Sequence, residues 1–391
     1  MTQSIPERFA PPDFEALRTR FPIFRTRTYI NSCSYGALSL DVQEALGAYM
    51  QSRLELGSDW GGWVGKAEAV RALLADLVNG APDEMAVTSS VSECVNNLAS
   101  AFDFTAGRNE VVLTDFDFPT TSQIWLSRTR SGAVVRRAKA DETGAAISLA
   151  EFDRLISDRT LLVSIPLVCY RNGAMLDVKP IIDLAHSRGA KVLLDAYQAI
   201  GSMPIDVRAL GVDFLVAGTL KYLIGGAGVG FLYVRDAMSV DLTPVNSGWF
   251  AQENVHAMDI YRNAPSPTAR RFESGTPNVP GMYVAEAGLK FVLSVGVDHI
   301  RRRILSLNAE IAAEASKQGW RIVGSADPAM RGAMTAIKCL DAPELVERLG
   351  ARRITVSDRD GNLRISPHFY NDVSDLERLS DALRAECALI C

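Results

Sequence analysis

From about residue 68 to 234 the chain alternates helical periodicity with short apolar runs rich in β-branched residues, and that alternation limits the fold more than any other feature. The runs are "EMAVTSS", "NEVVLTD", "TLLVSIPLV", "AKVLLDA", "DFLVAGT" and "VGFLYV". Continuous apolar runs separated by helical stretches predict strands buried on both faces, in an α/β unit whose sheet is largely parallel. One repeat is explicit: "KPIIDLAHSRG" carries a helical stripe, stops at Gly189 and leads into the strand "AKVLLD". Residues 240 to 280 break the rhythm with prolines, glycines and aromatics. "MYVAEAGLKFVLSVG" then resumes as a helix, and "NDVSDLERLSDALRAECALIC" reads as a capped amphipathic helix with Val373, Leu376, Leu379 and Leu383 at helical spacing. A boundary near residue 275 follows, with an N-terminal segment over 1–35, a large domain over 36–275 and a small C-terminal domain over 276–391.

A length of 391 residues, with 48% hydrophobic and 22% charged residues, suits a large packed core. The formal charge of −5 provides no general attraction to nucleic acid or to an anionic membrane. No apolar run reaches spanning length and the first residues do not resemble a signal peptide, so a cytoplasmic protein is expected. Cys33, Cys94, Cys169, Cys339, Cys387 and Cys391 are scattered and read as free thiols, and the four histidines show no metal-ligand spacing. No metal is expected.

In open α/β sheets, ligands collect at the carboxyl ends of strands. Three chemically distinctive places fall there. Asp195 closes "KVLLD". Lys221 follows "DFLVAG" and stands between two apolar runs, where an ammonium is costly unless something pairs or neutralises it. "TSSVSE", residues 88 to 93, leads from a strand into a helix, as an anion site requires. Each has an ordinary alternative: a lysine reaching out to solvent, a buried carboxylate, a plain helix cap. Together they suit pyridoxal 5'-phosphate, which needs a lysine for an imine, a carboxylate at the pyridine nitrogen and an anion cradle. "GGAGVG" is no dinucleotide loop, because it runs into a strand and opens no helix.

With "LLDAYQAIGSMPIDVRALGVDFLVAGTLKYLIGGAGVGFLYV", the motifs "YINSCSYGALS", "VTSSVSECVNNLA", "RRFESGTPNVPG" and "GNLRISPHFYNDVSDLERL" give the chain its family likeness. It resembles the class V aminotransferases, a family that includes cysteine desulfurases, cysteine lyases, isopenicillin N epimerase and kynureninase. The resemblance implies the fold type I of PLP-dependent transferases, with a mostly parallel seven-stranded sheet and a smaller α+β C-terminal domain. It implies that Lys221 holds the coenzyme, that Asp195 faces the ring nitrogen and that Gln198 meets the ring hydroxyl. Val91 and Ser92 would bind the phosphate; Leu220 stands in place of a family histidine or tyrosine, so that contact is either missing or supplied by Thr219. Phe118 would stack on the ring, Arg364 would bind the substrate carboxylate with Asn31 and Tyr35 beside it, and Thr276 would reach the neighbouring subunit's phosphate in a homodimer with shared sites.

Departures from the family narrow the reaction. "RRITVSDRDGNLRIS" lacks the cysteine that desulfurases carry before this arginine, and Cys339 in "MTAIKCL" reads as a core thiol. The expectation is a pyridoxal phosphate enzyme that deprotonates a small amino acid at Cα and expels a Cβ substituent, as a lyase or a kynureninase-like hydrolase. Transamination and epimerisation share the early steps. A coenzyme-binding sensor would need a DNA-binding module, for which the acidic chain leaves no room before residue 30.

Overall fold

The computed structural model describes residues 12–235 and 242–391. The first eleven residues of the expected N-terminal segment, and residues 240 and 241 of the irregular stretch, lie outside them. Seven strands form one sheet in the order Met85–Thr88, Gly230–Val234, Phe214–Gly218, Lys191–Asp195, Thr160–Pro166, Glu110–Thr114 and Val134–Ala138. Every pairing is parallel except the two made by Gly230–Val234.

The apolar runs are continuous because successive side chains enter different cores. Val192, Leu194, Leu215 and Ala217 join one buried cluster, while Leu193, Phe214 and Val216 join the cluster on the opposite face. Val134–Ala138 escapes the pattern: as the edge strand it carries two arginines and stays half exposed.

The C-terminal part holds a four-stranded sheet in the order Ser357–Arg359, Asn362–Ile365, Thr335–Lys338 and Ile322–Val323. It has its own core of Ile337, Leu345, Leu363, Leu379 and Leu383. Helix Val373–Ala385 begins in a capping box closed by Asp372 and Asp375, and buries Leu376, Leu379 and Leu383 while Val373 stays exposed. Cys339 sits just past strand Thr335–Lys338, buried in this core.

Residues after 12 cross to this part: Thr28–Tyr29 pairs in parallel with Ile354–Thr355, and Arg18 bonds to Asp375 at 2.7 Å. The helix Val279–Val295 belongs by packing with the larger part, beyond the boundary expected near 275. Met282, Ala285, Leu289 and Val292 enter the core that lines one face of the seven-stranded sheet, and Ile300 and Ile304 of the next helix join them, whereas Leu307 and Ile311 enter the smaller core.

Candidate active site

Lys221 lies on the connection between Phe214–Gly218 and the antiparallel Gly230–Val234. The backbone on both sides of it is clamped from afar. Gly36 N–H donates to the Leu220 carbonyl at 2.8 Å, and His368 Nε2 to the Tyr222 carbonyl at 2.8 Å. His368 is wholly buried, which pushes its pKa down to about 4. Its Nδ1 accepts from Phe369 N–H, so the neutral ring keeps its proton on Nε2 for this bond.

The glycines that follow serve the turn and its packing more than any ligand. Gly226 and Gly228 take positive φ, and a side chain on Gly225 would press on the Ala285 backbone of helix Val279–Val295. Thr219 is committed to the same turn: its hydroxyl lies 3.0 Å from the Gly226 carbonyl and 3.2 Å from that of Gly225. A hydroxyl has one proton, so Thr219 donates within its own turn and keeps only its lone pairs for another partner.

A cavity of about 150 Å³ brings together Ser90, Val91, Ser92, Phe118, Asp195, Tyr197 and Leu220. Helix Val91–Ala99 starts at its wall, with Ser90 Oγ accepting from Glu93 N–H at 3.1 Å. The first-turn N–H groups of a helix lack intrahelical acceptors, so this end favours an anion. Gly230 makes the approach possible, because a Cβ there would come within 2.7 Å of Val91 N.

Asp195 ends its strand buried beside the cavity, accepting from Tyr197 N–H at 2.9 Å. Burial raises its pKa, and the charge of Lys221 opposes that rise. Burial likewise pushes Lys221 down to about 8. Its Nζ stands 4.2 Å from the centre of the Tyr197 ring and 5.9 Å from that of Phe118. Phe118 is exposed on the cavity side and meets Tyr170 edge-on at 5.0 Å. Gln198 is buried, its amide donating to the Cys33 carbonyl at 3.2 Å.

Arg364 is 3% exposed, and its hydrogen bonds go only to neutral atoms: the Tyr170 carbonyl at 3.0 Å, Ser34 Oγ at 3.1 Å and Ser357 Oγ at 3.0 Å. Among the described residues no carboxylate lies within 4.0 Å of it, and its Nε is buried without a partner. An uncompensated buried charge costs about 3–5 kcal/mol. Such a group awaits an anion. Asn31 accepts from Ser357 Oγ at 2.8 Å, and the Tyr35 hydroxyl accepts from Ala227 N–H at 2.9 Å. Thr276 is exposed and does not line the cavity.

The donor set fits pyridoxal phosphate: a buried carboxylate with a single short partner, an exposed aromatic face and an open helix terminus line one cavity, and a lysine of depressed basicity stands against its Tyr197 ring. Sequence reasoning passed over Tyr197, Tyr170, Ser34 and Ser357. Ser357 is found only through its register opposite Arg364. It also passed over Cys33, a buried thiol 3.9 Å from Ser357 Oγ, and Asp117, whose burial lifts its carboxyl to about 8. Among the described residues no group of three potential ligands could hold a metal, and no helix is long and apolar enough to cross a membrane.

Comparison with known proteins agrees with this geometry. The family model described as aminotransferase class-V matches residues 63–379. An uncharacterized aminotransferase of Bacillus subtilis is 34% identical over 95% of this chain and 98% of its own. The kynureninase of Geobacillus thermodenitrificans is 28% identical over 90% of this chain and 86% of its own. In fold, the chain matches a cysteine desulfurase from Thermococcus onnurineus with a TM-score of 0.86 at 21% identity, covering 97% of this chain and 98% of that one. The fold is that of the type I PLP-dependent transferases.

Proposed function

Because the chain belongs to the aminotransferase class-V family, we propose that it is a pyridoxal 5'-phosphate enzyme that takes a proton from Cα of a small amino acid and releases a Cβ substituent. The observation that carries this reading is the buried, unneutralised guanidinium of Arg364 beside Lys221. A planar fork with a free Nε matches a carboxylate, and the charge it lacks is the one every α-amino acid brings.

Bound pyridoxal phosphate supplies an electron sink for a carbanion at Cα. The rest is the work of side chains. Val91 N–H and Ser92 hold the phosphate at the helix terminus, and Phe118 covers one face of the ring. Asp195 would face the ring nitrogen, where a negative charge would keep a proton in place. Gln198 stands near the ring hydroxyl. Arg364, with Asn31 and Tyr35 nearby, fixes the substrate carboxylate. Lys221 would hold the coenzyme and, when free, would accept the Cα proton on Nζ, a role that its burial-depressed basicity suits.

Loss of a Cβ group is favoured over persulfide formation because the hairpin Ser357–Arg359 to Asn362–Ile365 carries no thiol. A panel of amino acids assayed for pyruvate, alanine, sulfide and anthranilate tests the reaction. Release of a Cβ fragment in step with substrate loss is expected. Conversion of alanine to its oxo acid, with no fragment from any substrate, would point to transamination instead.

A homodimer is the second part of the proposal. Leu46, Met50 and Leu54 repeat at four-residue spacing along helix Leu40–Leu56 and are all exposed, and the exposed Leu38 and Tyr35 line one groove with Leu46. Such a stripe marks an interface. Sedimentation equilibrium is expected to give twice the chain mass, and Met50→Asp to weaken self-association by about 10²-fold. A wild-type protein of single-chain mass contradicts it.

A further inference from the structure

The hairpin that positions Arg364 carries a second arginine on the same face. Ser357 pairs with Arg364 across the hairpin, and Arg359 with Asn362. Side chains alternate along a strand, so Arg359 leaves from the side on which Ser357 touches Arg364, displaced by about 7 Å. It is exposed, and among the described residues no carboxylate lies within 4.0 Å of its guanidinium.

Neighbouring acids do not neutralise it. Asp358 alternates to the other face, where its charge acts on Cys339. Asp360 is engaged by Arg171 at 3.2 Å, and Arg171 in turn donates to the Asp115 carbonyl. That contact ties the tip of the hairpin to the segment bearing Tyr170, whose ring meets Phe118. Arg359 therefore stands on the hairpin face that carries Arg364, near enough to the site for its charge to help hold down the pKa of Lys221 together with that of Arg364. Two guanidinium groups without a carboxylate partner among the described residues, one buried and one exposed, share this face of the hairpin.

We propose that Arg359 selects amino acids whose side chain ends in a carboxylate, of aspartate or glutamate length, while Arg364 holds the α-carboxylate. The inference rests on the reading of Arg364 as the α-carboxylate site. A neutral side chain leaves the exposed cation solvated and gains nothing from it. An acidic one forms a charge-assisted bond there.

The test is binding to the holoenzyme, followed by the absorbance change of the coenzyme on rapid mixing with L-aspartate against L-asparagine and L-glutamate against L-glutamine. The wild type is expected to bind at least one acid about two- to fivefold more tightly than its amide, as an exposed ion pair allows. Arg359→Gln should bring that ratio to about one without changing amide affinity, and Arg359→Lys should keep most of it. A ratio of one in the wild type, or one that survives Arg359→Gln, overturns the proposal. Arg364→Gln separates the two readings: it should weaken acid and amide alike, and if both bind unchanged, the assignment of Arg364 itself is wrong.

Discussion

Replacing Lys221 with alanine is expected to abolish covalent retention of the coenzyme and to lower turnover by about 10³-fold or more, because in the proposed reaction one side chain serves as both attachment point and proton acceptor. Mass spectrometry after borohydride reduction checks the first effect: the wild type gains the mass of the reduced coenzyme on the peptide containing residue 221, and the variant does not. An unchanged adduct on another lysine would remove Lys221 from the reaction. The wild type should also show the lysine's depressed basicity. Coenzyme capture needs the neutral amine, so its rate in coenzyme-free protein should rise about tenfold per pH unit and level off near pH 8, well below the limit of an ordinary lysine at 10.5. The linked stability has a definite sign. Between pH 8 and 10.5 the unfolded chain binds this proton and the folded chain does not, so the coenzyme-free protein gains stability as pH rises through that window.

Arg364→Ala is expected to raise KM for amino acids by about 10²-fold, the loss that follows when a buried charge-assisted pair is broken, while coenzyme affinity changes little. Separate titrations of coenzyme and substrate distinguish the two. An unaltered KM would mean that the unpaired guanidinium has a purely internal role. The fold should tolerate the change, since Arg364 bonds only to neutral acceptors and its charge is a burden in the absence of substrate.

Much of the sheet was legible because strands buried on both faces write unbroken apolar runs, as Leu193 and Leu194 illustrate by entering opposite cores. Val134–Ala138 was not, since an edge strand needs only one buried side and its "VVRRA" carries polar residues inside the run. Helix Val279–Val295 was readable as a helix but not by allegiance, because its apolar face does not say which partner it meets. In the site, Lys221 and Asp195 stood out as ionisable groups at the ends of apolar runs. Ser34, Tyr170 and Ser357 carry no such contrast, and they reach Arg364 only through contacts spanning 330, 194 and 7 residues of chain. The commitment of Thr219 to its own turn was likewise invisible, since a hydroxyl's direction depends on carbonyls that come together only when the bend closes.

The clamps on either side of Lys221 tie the reactive amine to both ends of the polypeptide. Leu220 is held from residue 36 and Tyr222 from residue 368. During synthesis the strands of the large sheet emerge long before His368 leaves the ribosome, so a nascent chain can own the lysine without the means to aim it. The orientation of the amine is thus a property of the whole tertiary structure and not of the strand and turn that carry it.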